Sequence, residues 1–136
     1  MDSIADDGTT PLYYAAIWGY TEIIRMLHAA GASITAQDSF GYHAINNAAA
    51  FGELGSVETL IELGADVDDI SGYEDMSTPL MAASAFGETH VVEYLVKMGA
   101  DLDIQDAFNM TALEYAVAHE YEDVEQILRK AATAGH

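Results

Sequence analysis

The chain repeats itself. GTTPLYYAAIWGYTEIIRMLHAAGAS begins at Gly8, GYHAINNAAAFGELGSVETLIELGAD at Gly41, MSTPLMAASAFGETHVVEYLVKMGAD at Met76 and NMTALEYAVAHEYEDVEQILRKAA at Asn109. The starts are offset by 33, 35 and 33 residues. Ala15, Ala48, Ala83 and Ala116 fall in register, as do Gly19, Gly52 and Gly87, and then Gly31, Gly64 and Gly99. A fixed period of this length signals one supersecondary unit stacked on copies of itself, because a single unit cannot bury its own apolar face.

Each position in the period has a physical reason. Thr10 and Thr78 can cap a helix through the hydroxyl, and Pro11 and Pro79 then take the first helical position, where a missing N–H costs nothing. Ala15-Ala16 and Ala48-Ala49 let two helices approach closely, and Gly19, Gly52 and Gly87 end the first of them. Ile23, Ile24 and Leu27, like Val91, Val92 and Leu95, form the apolar stripe of a second helix. Gly31, Gly64 and Gly99 follow it as left-handed caps. Asp66-Val67-Asp68 and Asp101-Leu102-Asp103 then lead into an extended finger.

A 33-residue period carrying Thr-Pro-Leu, Ala-Ala, a mid-unit Gly and Gly-Ala-Asp resembles the ankyrin repeat, in four copies over nearly the whole chain. The resemblance implies an all-α solenoid of helix–turn–helix units with short β-hairpin fingers. A single domain is expected over 1–136, with repeats at about 5–37, 38–70, 71–104 and 105–134. Departures from the family pattern are informative. The usual His after Thr-Pro-Leu is replaced by Tyr13, Asn46, Met81 and Glu114. Repeat two has His43-Ala44 where Thr-Pro belongs, which predicts a weaker helix start and altered hydrogen bonding between repeats. Met76 takes the finger glycine's place after a two-residue insertion in DDISGYEDM, so that finger should be reshaped, with Gly72 supplying its turn. Glu120 replaces a helix-ending glycine. His28 at one end, and Glu125, Arg129 and Lys130 at the other, read as wetted capping faces of a complete four-repeat unit.

Charge excludes several functions. Twenty-three acidic residues against four basic ones give −19. Nucleic acid is excluded as a partner, because its phosphates need Lys and Arg, and anionic membranes are disfavoured for the same reason. No apolar run is long enough to span a bilayer, and the first residues carry no secretory signal, so a cytoplasmic location is expected. The absence of cysteine removes disulfides, thiol catalysis and Cys-based zinc sites. The negative field would steer a basic partner; solubility or salt adaptation is the competing explanation.

Partners of ankyrin proteins usually meet the concave face, which is built from finger tips and the ends of the first helices. Trp18 precedes Gly19, and its equivalents are Phe51, Phe86 and His119. These four form an expected aromatic ladder along that face. The finger tips add Phe40, Tyr42, Tyr73, Phe108 and Met110, with Asp6, Asp7, Glu74 and Asp75 as an acidic fringe beside Asp38 and Asp106. Aromatics and Met are enriched at interfaces, although rings here could instead fill gaps between finger and helix. Arg could stack on such rings while pairing with the carboxylates.

Chemistry is not indicated. The five histidines lack helical metal-site spacing, and His119 with Asp123 is a single pair. Asp66–Asp69 lacks the calcium-loop pattern, and no nucleophile motif or phosphate loop is present. The expected function is a non-catalytic, monomeric protein-binding module, with no cofactor or metal, whose concave face takes a basic protein. The alternatives are an acidic inhibitor or immunity-type protein that neutralises a cationic enzyme such as a nuclease, and a structural or salt-adapted repeat protein.

Overall fold

The computed structural model describes residues 11–35 and 37–134; the expected cap Thr10 and the finger acids Asp6 and Asp7 lie outside them. The described residues form α1 (Pro11–Trp18), α2 (Thr21–Ala29), α3 (Ala44–Ala50), α4 (Leu54–Glu62), α5 (Pro79–Ala85), α6 (Thr89–Lys97), α7 (Ala112–Ala118) and α8 (Glu122–Thr133). Helix starts follow local chemistry. The Thr78 hydroxyl accepts from the Met81 amide at 3.2 Å, with Pro79 in the first turn. Thr111 and Glu114 form a reciprocal capping box. His43 provides no side-chain cap for α3, as its departure from Thr-Pro predicts. Its amide instead donates to Ser71 Oγ at 3.1 Å and its ring pairs with Asp69 at 2.7 Å, which ties this helix start to the next finger.

The in-register alanines have two jobs. Their side chains are buried, so α1, α3, α5 and α7 pack in sequence as an inner layer while α2, α4, α6 and α8 form an outer one. Their carbonyls also close the inner helices. The amides of Tyr20, Glu53, Glu88 and Tyr121 donate to Ala15, Ala48, Ala83 and Ala116, each at 2.9 Å. This is the long bond of a Schellman motif, and the residue before the donor must be left-handed. Gly19, Gly52 and Gly87 meet that demand, and Glu120 meets it at φ 60° despite its side chain. The outer helices α2, α4 and α6 end the same way, with Ala32, Ala65 and Ala100 donating to Leu27, Leu60 and Leu95. Between the layers lie Leu12, Ile24, Ile45, Leu60, Leu80 and Leu95, all fully buried. A buried hydroxyl, Ser56, donates to the Ala16 carbonyl at 2.6 Å and joins the first two repeats.

The expected β-hairpins are reduced. Among the described residues the fingers hold only isolated antiparallel bridges, Gln37 with His43 and Ser71 with Ser77. The reason is length: α3 begins directly after His43, and Thr78, after Ser77, already caps α5, so no second pair can form. In the reshaped third finger, Gly72 adopts φ 100° and Met76 is left-handed at φ 52°.

Left-handed backbone strains a residue that carries a Cβ. Glu120→Gly should therefore stabilise the protein by about 0.5–1 kcal/mol. Thermal denaturation followed by circular dichroism should show a midpoint higher by roughly 2–5 °C.

Candidate functional site

The inner helices end on large exposed rings. Trp18, Phe51 and Phe86 are 64%, 59% and 62% solvent-exposed. Gap-filling rings would be covered by their neighbours, and these are not. His119, at the same place in the fourth repeat, is also exposed, and its ring stacks on Tyr121 with centroids 5.9 Å apart. Phe40, Tyr73 and Phe108 are likewise exposed at the fingers, whereas Tyr42 and Met110 are half-buried.

The fingers are tied to one another. Gly72 N donates to Gly41 O at 3.0 Å, Tyr73 N to Phe40 O at 2.9 Å and Ala107 N to Asp75 O at 2.8 Å. The rings of Tyr73 and Tyr42 lie over Gly41 and Gly72. A Cβ at either glycine would come within 2.6 Å of the ring above it. Both glycines are also left-handed, so any side chain there would be strained as well as crowded. The Tyr73 hydroxyl donates to Gln37 Oε1 at 2.9 Å, and the ring stays largely exposed.

The acidic fringe divides into two kinds. Asp38 is consumed internally: Oδ1 accepts from the amides of Phe40 and Tyr42 at 2.9 and 3.0 Å, and Oδ2 from Tyr13 Oη and Asn47 Nδ2, each at 3.0 Å. Asp106 repeats the pattern, accepting from the amides of Phe108 and Met110 and from Tyr115 Oη. These two carboxylates shape the fingers instead of facing outward, which corrects their expected place in the fringe. Burial first, and the Asp106 carboxylate second, push the Tyr115 phenol well above its ordinary range. In the third finger the insertion puts Tyr73 where Asp38 and Asp106 stand, three residues before Met76, and the nearby acid becomes Asp75. Its Oδ2 accepts from Tyr42 Oη at 2.7 Å, and its Oδ1 is buried with no partner among the described residues. Glu74 is exposed beside it.

One cavity draws several of these residues together. It measures about 260 Å³, and Phe51, Phe86, Tyr42 and Asp75 line it together with Tyr115 and Asn46. Trp18, His119, Phe40, Tyr73, Phe108 and Met110 do not line it. Asn46 and Asn47 were the residues whose roles the pattern did not reveal. Their signal was available, since two adjacent asparagines are poor helix formers within an alanine-rich inner helix. Asn47 Nδ2 also donates to Tyr13 Oη.

Burial chiefly, and then the bond to Asp75, push the Tyr42 phenol up from 10.0 to about 12. A folded-state value above the unfolded one stabilises the protein fully below the unfolded value, and that contribution is lost as pH rises through the folded one. An ultraviolet titration of phenolate should show Tyr42 ionising near pH 12, with resistance to denaturant falling from about pH 10 upward. In Tyr42→Phe, that step of the titration should vanish and the alkaline loss should be shallower.

Comparison with known proteins agrees with the architecture. A family model described as ankyrin repeats (3 copies) matches residues 1–71 and 45–135. A protein of Rickettsia bellii (strain RML369-C), whose name places it among ankyrin repeat proteins, is 38% identical over 74 residues. That match covers 52% of this chain and 31% of the relative, so the chain spans about a third of the length of the curated relative it matches. No helix among the described residues is long and apolar enough to cross a membrane. With helix pairs stacked in two layers and family matches running from residue 1 to residue 135, the chain belongs to the ankyrin repeat family, whose members are generally protein–protein interaction modules.

Proposed function

We propose that this chain is a non-catalytic module that holds another protein on its concave face, and that the partner's contacting surface is basic. The observation that carries the reading is the row of exposed rings at Trp18, Phe51 and Phe86, each at the end of an inner helix. Aromatic side chains of this kind supply large contact area and are favoured at the energetic centres of interfaces. Exposed rings also invite self-association, and a net charge of −19 opposes it while attracting a cationic surface. Glu74 belongs to the proposed contact, and so do Asp6 and Asp7, which lie outside the described residues. Tyr73, Phe40, Phe108 and Met110 extend it along the tips, and His119 closes it at the far rung.

The triple variant Trp18→Ala, Phe51→Ala, Phe86→Ala removes only exposed rings, so its circular dichroism spectrum should match that of the parent. Capture from a cell extract should lose its main bound protein by at least about 30-fold in the variant. The same complex should weaken as salt is raised from low to high ionic strength. Equal capture by both proteins would remove the concave face from the interaction. A salt-adapted role without a partner would instead show as steep stabilisation of the isolated chain by salt.

A further inference from the structure

The first helix pair ends on an apolar stripe whose counterparts in later repeats are covered. In the second repeat the stripe is Glu53, Ser56 and Thr59, three residues apart along the start of α4 and so on one face of it. It is seated on the repeat before. Ser56 Oγ donates to the Ala16 carbonyl, and Glu53 lies so near Gly19 that a Cβ there would come within 2.6 Å of its carboxylate. Glu88 and Tyr121 sit in the same way over Gly52 and Gly87. At the middle position Ser56, Val91 and Val124 are all buried. The register puts Tyr20, Ile23 and Met26 at these places in the first repeat, where no repeat precedes them among the described residues. They are 55%, 44% and 68% exposed. His28, expected to wet this end, is half-buried and less exposed than any of them.

What covers the stripe at the inner joints is a helix pair, so the exposed copy continues an interface that this chain already makes three times. Contiguous exposed apolar side chains mark contact surfaces. Charge narrows the choice of partner. Residues 11–35 carry one acid, Glu22, and one base, Arg25, whereas residues 37–134 carry nineteen acids against Lys97, Arg129 and Lys130. Asp2, Asp6 and Asp7 lie outside the described residues. A basic partner has little to pair with on this helix pair, and a second copy of the chain meets little like-charge repulsion there.

The opposite end is not the complement. Glu120 stands where Gly19, Gly52 and Gly87 make room for the residue above, and Glu125 stands where Ile24, Val57 and Val92 are buried. A Cβ at Gly87 would already come within 2.9 Å of the Tyr121 ring, so the Glu120 side chain bars a ring seated in that way. Head-to-tail stacking is closed off. First face on first face remains, a two-fold contact that is complete at two copies.

We propose that the chain forms a two-fold dimer through Tyr20, Ile23 and Met26, each copy covering the other's stripe, in place of the monomer that the sequence suggests. The inference is independent of the concave-face reading.

Sedimentation equilibrium of the whole chain, from low micromolar to near-millimolar concentration, tests it. The mean mass should rise from one chain to two and no further, with a dissociation constant on the order of 10–100 µM, as suits three large side chains a side. Added salt should tighten the dimer, because it screens repulsion between two chains of −19, whereas the concave-face complex should loosen. Met26→Glu should weaken dimerisation at least about tenfold by setting like charges face to face. Ile23→Ser, which copies the second repeat, decides in its place should Met26→Glu lose the native circular dichroism spectrum. The Trp18→Ala, Phe51→Ala, Phe86→Ala variant should dimerise as the parent does. A parent that stays monomeric throughout, or masses beyond two chains, overturns the proposal. So does undiminished dimerisation in the folded stripe variant, or its loss in the ladder variant.

Discussion

Everything in this molecule depends on helices coming close enough to share a core that none of them could bury alone. Ala15, Ala48, Ala83 and Ala116 make that approach possible, being small enough for the inner helices to sit in a continuous row. The same residues supply the carbonyls that terminate their helices, so packing distance and helix length are set at one position. A larger residue there would push the layers apart and also disturb the turn into the outer helix. Stability is consequently distributed between neighbours rather than held in one centre, as expected of a quasi-one-dimensional array.

Polar groups take over where the alanines cannot reach. The fingers have too few residues for a sheet, and side chains satisfy their backbone amides instead. Asp38 and Asp106 each bind two such amides and a tyrosine hydroxyl. Each tyrosine comes from an inner helix, Tyr13 from α1 and Tyr115 from α7, so the finger is braced against the layer that carries the exposed rings. A strongly acidic chain tolerates these carboxylates because their charge is answered locally by hydrogen-bond donors.

The sequence made the architecture legible because the signals that define it are local. Thr78 with Pro79, and the glycines at 31, 64 and 99, announce where helices start and stop. The 33-residue offsets announce that the units stack. The exposure of Trp18, Phe51 and Phe86 followed from the same register. Pairings across a turn or between units were harder to read. Nothing in the spacing says that Asp106 is buried and bonded to Tyr115 while Glu74 faces solvent, since both read as finger acids. The two-residue insertion within DDISGYEDM was visible, but its effect on Asp75 was not, because that depends on where the Tyr42 hydroxyl lies in three dimensions. The hairpins were overestimated for a related reason: helix capping and strand pairing compete for the same few residues at Ser77 and Thr78.

The bracing of fingers to helices has a consequence for encounter with a partner. A surface held by Tyr13–Asp38, Tyr42–Asp75 and Tyr115–Asp106 has little conformational freedom left to lose. If the proposed contact is made through this surface, association would cost mainly rigid-body entropy, with only a small penalty for ordering loops. The free and bound backbones should coincide closely, as in other preorganised complexes. Affinity among related partners would accordingly be set by how long each complex lasts rather than by how fast it forms.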